Sequence, residues 1–149
     1  LYFPDKRACF LAFVDEARSE VDAMVQARVQ ALPAHSLASV IEATLRAVFD
    51  YSHEHPGVLL TALSDESVIS VGGAIGSTLV ERWSEEWVRV LETLGGLGAV
   101  RRDCDTTIIG AAIVGLIHHG AVYGSRQGRT PDEIVATLTQ FLVHGLAPK

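Results

Sequence analysis

The sequence predicts an all-α domain arranged as a six-helix bundle, and three observations carry that expectation. Apolar residues recur at three- and four-residue steps in the long segments, as in Phe10, Val14, Ala17, Val21, Val25 and Val29, the spacing of one face of an α-helix. The apolar set is mostly Ala, Leu and Val, with aromatics at only 7%, a bias that favours helix packing over sheet. Caps, prolines and glycine pairs cut the chain into six segments, and nothing alternates with period two for more than a few residues. No strand is expected.

Each element has its own start and stop. Asp5 is placed to cap the first helix, with Pro4 before it, and Pro33 stops that helix near Leu32. The face opposite its apolar stripe carries Asp15, Arg18, Ser19, Asp22 and Gln26. A second helix starts from Ser36, buries Leu37, Ile41, Leu45, Val48 and Phe49, and ends at His55-Pro56-Gly57. Pro56 suits the first turn of a short third helix, GVLLTALS. Ser64 or Asp65 caps a fourth, from about 66 to 94, with Leu79, Val80, Trp83, Trp87, Leu91 and Leu94 on one side. Gly72, Gly73 and Gly76 predict a late start, a kink or a close crossing in its first half, since each costs about 1 kcal/mol against Ala inside a helix. The fifth helix is expected to begin at an Asp103 cap and is apolar nearly all the way round, through Ile108, Ile109, Ala112, Ile113, Leu116 and Ile117. Such a helix should be buried on every side. The last begins with Thr130 as cap, Pro131 in its first position and Glu133 completing a capping box, with Gly145 as its stop and Pro148 beyond.

The 149 residues suggest one domain, and a hydrophobic content of 48% with mean hydropathy +0.26 is high for a soluble monomer. The surplus apolar surface is expected to line a cavity or meet a partner. The net charge of -6 gives these residues no electrostatic footprint for nucleic acid. Cys9 and Cys104 lack CxxC spacing and read as free, mostly buried thiols of a reducing compartment, so a cytoplasmic protein is expected. The longest apolar run, TTIIGAAIVGLI, has 12 residues where a bilayer span needs about 20, so no membrane association is expected. His53-Glu54-His55 lacks a third ligand at recognisable spacing, and the Gly72 cluster lacks the Lys-Ser/Thr ending of a phosphate loop. Neither a metal, nor a cofactor, nor a catalytic constellation is expected.

The opening LYFPDK resembles the junction in TetR-family bacterial repressors where the recognition helix ends and the first effector-domain helix begins. Tyr2, Phe3, Asp5 and Lys6 fill the later positions of that pattern, and the ending ATLTQFLVHGLAP is similar to the family's final helix. The resemblance implies that residues 1–149 form a TetR-like C-terminal effector-binding and dimerisation domain. Residues 1–6 would then join it to a DNA-binding helix-turn-helix head that this sequence lacks. Tyr2 and Lys6 would contact DNA phosphates. The last two helices would pair with their copies in a homodimer, with Ile109, Ile113, Leu116, Leu138, Phe141 and Leu142 near its centre. The residues point the same way: the segment 106–117 has apolar side chains for two surfaces, and Gly110, Ala111, Ala112 and Gly115 allow close helix approach. The resemblance further implies a small hydrophobic effector inside the bundle. The expected walls are Phe13, Ala17, Phe49, His53, Leu60, Trp83, Trp87, His118 and Tyr123. A helical interaction module, or a small all-α enzyme without a DNA-binding head, is the alternative.

Overall fold

The computed structural model describes residues 4–59 and 79–149. Among them are five helices and no strand: α1 (Lys6–Gln30), α2 (Leu37–Glu54), α3 (Leu79–Gly96), α4 (Thr106–Arg126) and α5 (Pro131–Leu146). The expected short third helix beyond Leu59, the start of the fourth and its three glycines lie outside the described residues.

Local chemistry sets most of the helix ends. The Asp5 carboxylate accepts from the Ala8 amide at 2.7 Å. Ser36 and Ser39 form a reciprocal capping box on α2, and Thr130 and Glu133 form another on α5 with Pro131 in its first turn. Substituting such a cap by Ala costs about 0.5–2 kcal/mol. The cap of α4 is Asp105, which accepts from the Ile108 amide at 3.1 Å, and not Asp103. Asp103 is instead drawn to Arg101 (2.6 Å) and Lys149 (2.6 Å), which hold its carboxyl well below the usual range. The Arg101 amide also donates to the Leu146 carbonyl at 2.9 Å, so the α3–α4 link is fastened to the end of α5. That last helix runs through Gly145 to Leu146, one residue past the expected stop. Gly128, at φ +79°, makes the tight reversal between α4 and α5, where the Arg129 amide donates to the Gly124 carbonyl at 2.9 Å.

The main core lies between α2, α3, α4 and α5. It joins Leu37, Ile41 and Leu45 to Trp87, Leu91 and Leu94, and these to Ile113, Val114, Ile117, Ile134, Val135, Leu138, Leu142 and Leu146. Burying each large aliphatic side chain contributes about 1.5–3 kcal/mol. Helix α1 packs chiefly on α2, where Ala17 and Val21 meet Tyr51 and Leu59 in a separate cluster. Trp83 touches the main core, this second cluster and the Phe10–Phe13–Val14 group, and so ties α1 to α3. Tyr51 is buried and donates its hydroxyl to Glu20 at 3.0 Å. Burial first, and then Glu20, push its phenol up to about 12. Cys104 is partly covered, but Cys9 is exposed on the first turn of α1, contrary to expectation.

α4 departs most from the sequence reading. Gly110, Ile113, Val114 and Ile117 are buried, yet Ile108 is 66% exposed and Tyr123 67% exposed. Among the described residues it is the one helix long and apolar enough to cross a membrane by length and composition. Here its inner side is packed against α3 and α5. A single chain gives it neighbours on that side only.

The most extensive helix contact, α3 with α4, depends on the absence of a side chain at Gly110. A Cβ there would stand 2.8 Å from the Ser84 carbonyl oxygen and 2.9 Å from Val88 Cγ2. Gly110→Ala is therefore expected to lose about 1–3 kcal/mol, read as a lower urea midpoint. Gly95→Ala is the matched control, because its Cβ would meet only the Arg102 and Val100 side chains at ordinary contact distances of 3.7 and 3.8 Å. It should lose nothing.

Candidate functional site: an apolar cavity between four helices

The valine stripe of α1 does not end in solid packing. Val21, Val25 and Val29, spaced by one turn each, form one wall of a cavity of about 800 Å³. Val40, Thr44, Val48, Phe49 and Ser52 of α2 form the second wall. Trp83, Glu86, Trp87, Arg89 and Val90 of α3 form the third, and Val114, Ile117, His118, Ala121, Val122, Ser125 and Arg126 of α4 the fourth. Gly57 and Leu59 close the end beyond α2. The size and the mostly aliphatic and aromatic lining, with few polar groups, fit a small-molecule site.

The polar lining is unevenly placed. Asp22 and Gln26 follow Val21 and Val25 by one residue and reach the cavity edge, although the sequence pattern sets them on the opposite face. The Trp83 indole donates to Asp22 Oδ1 at 3.1 Å, joining α1 to α3, while Arg18 lies 3.5 Å from the other carboxylate oxygen. Glu86 stands one turn after Arg82 and Trp83 at the exposed rim, where desolvation first, and then Asp22, raise its carboxyl above the ordinary value. Thr44 spends its hydroxyl proton on the Val40 carbonyl at 2.8 Å. His118 looks in from α4, with His119 against it at a ring separation of 4.9 Å. Desolvation, and secondarily His119, lower its basicity, so at neutral pH it is an uncharged donor and acceptor.

Of the residues expected to line the site, Phe49, Trp83, Trp87 and His118 do so. Four others do not. Phe13 packs with Val14, Phe10 and Trp83 at the start of α1, and Ala17 is buried against α2. His53 is exposed and borders a smaller recess of about 460 Å³ with Arg46, Asp50 and Pro131. Tyr123 is on the outer face of α4, 67% exposed. Leu60 lies outside the described residues. No group of three or more His, Cys, Asp and Glu side chains is placed to hold a metal ion among the described residues.

The expected dimer centre also divides. Ile113 (0% exposed), Leu138 (8%) and Leu142 (5%) belong to the chain's own core and are not available to a partner. Ile109 and Leu116 are partly covered at the core margin, and Phe141 is 64% exposed. The outward apolar strip is instead Ile108, Ala111, Ala112, Gly115 and Tyr123 of α4 beside Phe141 of α5. Lys6 is exposed at the first turn of α1, and Tyr2 lies outside the described residues.

Comparison with known proteins gives a fold likeness only. No family model and no curated protein matches the chain. A solved structure of a protein of unknown function from Rhodococcus sp. RHA1 is similar over 98% of this chain and 75% of that one, with TM-score 0.73 and 20% identity.

Two outcomes follow from the cavity's polar groups. Trp83→Phe keeps the ring volume in part but removes the donor to Asp22, and is expected to cost about 1 kcal/mol or more in urea unfolding. His118 binds a proton less readily folded than unfolded, so its neutral form supports the fold above the ordinary histidine pKa and that support is lost as pH falls. Thermal midpoints between pH 7 and 5 should therefore drop less in His118→Gln than in the parent.

Proposed function

We propose that the chain is the ligand-sensing, dimerising domain of a TetR-like transcriptional regulator, a repressor released from operator DNA by a small hydrophobic effector. The observation that carries this reading is the cavity of about 800 Å³ whose fourth wall, α4, also presents an unpartnered apolar strip outward. One helix thereby touches both a ligand site and a surface for a second copy. The family resemblance of the two chain ends adds the DNA-binding head, which would precede Leu1 and follow any displacement of α1.

In this reading the effector fills the space between α1, α2, α3 and α4 and shifts α1, whose start carries Lys6. The two heads of the dimer then no longer match successive major grooves, about 34 Å apart. The ligand must favour the released state, and driving the equilibrium from 1:99 to 99:1 takes about 5.5 kcal/mol of differential affinity. No residue of α1 is among the buried members of the main core, which it meets through Val29, and its link to α3 runs through Trp83 and Asp22, which suits a helix that has to move. A helical interaction module would use the same outward strip of α4 and α5, and the cavity would have no role in it.

Two measurements separate these readings. Light scattering after gel filtration should give twice the 16.0 kDa chain mass for the parent and the single-chain mass for Ile108→Glu with Phe141→Glu, both with unchanged helical circular dichroism. A parent that stays at 16.0 kDa at tens of micromolar removes the dimer. When the coding sequence upstream of Leu1 is included, the longer protein should bind DNA and release it on adding compounds that quench Trp83 and Trp87. Release unaffected by every such compound rejects the sensor.

A further inference from the structure

The carboxylates and guanidiniums of the cavity lining are either paired or in contact with water, and the polar groups deeper in the cavity are neutral. Resting on the reading of this cavity as the effector site, we infer that the ligand is an uncharged, elongated apolar molecule bearing a hydroxyl or carbonyl oxygen. That oxygen hydrogen-bonds to the His118 ring on the α4 wall, and the apolar body lies along the valine wall of α1.

Three observations converge. The first is the balance of charge. Asp22 and Glu86 are matched in the lining by Arg89 and Arg126. Asp22 is already engaged by the Trp83 indole at 3.1 Å and by Arg18 at 3.5 Å, while Glu86, Arg89 and Arg126 are exposed and keep their water. An ionic head drawn inside would lose its hydration and find no counter-charge set aside for it, which is costly. The second is the state of the inner polar groups, Thr44, Ser52 and His118, all half-buried. Thr44 has given its proton to the Val40 carbonyl at 2.8 Å and can only accept. Among the described residues neither nitrogen of the His118 ring has a hydrogen-bond partner, and His119 stands against the ring at 4.9 Å. Desolvation first, and then His119, favour the neutral imidazole, which carries one donor and one acceptor nitrogen. A half-buried donor without a partner is a standing cost that a ligand oxygen removes. The third is shape. The lining runs from Val21 to Val29 on α1 and from Val114 to Arg126 on α4, about 12 Å and about 18 Å of helix. His118 stands one turn from the Val114 end, so a molecule held there has about two turns of α4 along which to extend.

The test uses four probes with the same ten-carbon chain: 1-decanol, 1-chlorodecane, decanoate and decylammonium. Each is titrated at neutral pH, below the concentration at which it forms micelles, with tryptophan fluorescence and thermal shift as readouts. Decanol should bind at least tenfold more tightly than either ion. His118→Phe keeps a ring but no nitrogen, and should weaken decanol at least fivefold while leaving chlorodecane within twofold. His118→Gln restores a donor and an acceptor, and should bring decanol back to within threefold of the parent, which a role in packing alone would not predict. If chlorodecane binds but either ion matches decanol, the preference for an uncharged ligand is overturned while the cavity reading stands. The same holds for the His118 contact if His118→Phe weakens decanol no more than chlorodecane. If none of the four binds, the cavity reading itself fails and the inference with it.

Discussion

Helix α4 is apolar around most of its circumference, and a single chain covers only part of it. Its inner residues, Ile113, Val114 and Ile117, close the core with α3 and α5. A neighbouring strip, from Val114 through His118 to Ser125, is turned to the cavity. The remaining strip, from Ile108 to Tyr123, faces outward. Exposed apolar surface of this kind is a liability in an isolated protein and an asset at an interface. The proposed dimer and the proposed ligand site therefore arise from one physical condition, a helix with more apolar faces than its own chain can cover.

What could be read in advance depended on how local the deciding interactions were. The box of Thr130, Pro131 and Glu133 spans four residues and was fully legible. The Asp103 cap was not, because Asp103 and Asp105 are equally good acceptors by sequence. The choice falls to Arg101 and to Lys149, the latter 46 positions further along the chain. The Val21, Val25 and Val29 stripe was visible as an apolar face, but periodicity does not say whether such a face meets side chains or open space. The one-turn spacing of Trp83 and Trp87 fitted a cavity wall and core packing equally, and both turn out to hold, since the pair borders the cavity while Trp87 is also buried in the main core.

The misplaced residues share a cause. Asp22 and Gln26 were assigned to solvent on a two-sided view of α1, yet that helix has α2 on one flank and Trp83 of α3 near the other, so a polar edge turns inward. Leu138 and Leu142 were assigned to a partner, and Tyr123 to the cavity, because a helix apolar on several sides gives no sequence signal for which side belongs to which neighbour. Only the packing of α5 across α2 and α4 resolves that, through contacts such as Gly120 with Leu138 and Gly124 with Ile134.

The crossing at Gly110 limits how this protein can diverge. Of the atoms that would obstruct a side chain there, Val88 Cγ2 could be trimmed away by a smaller residue, but the Ser84 obstruction is a peptide oxygen that every amino acid carries. No compensating replacement on α3 opens the space. A descendant with a side chain at position 110 therefore has to shift α3 and α4 apart at this crossing, and with them two of the walls of the cavity they share.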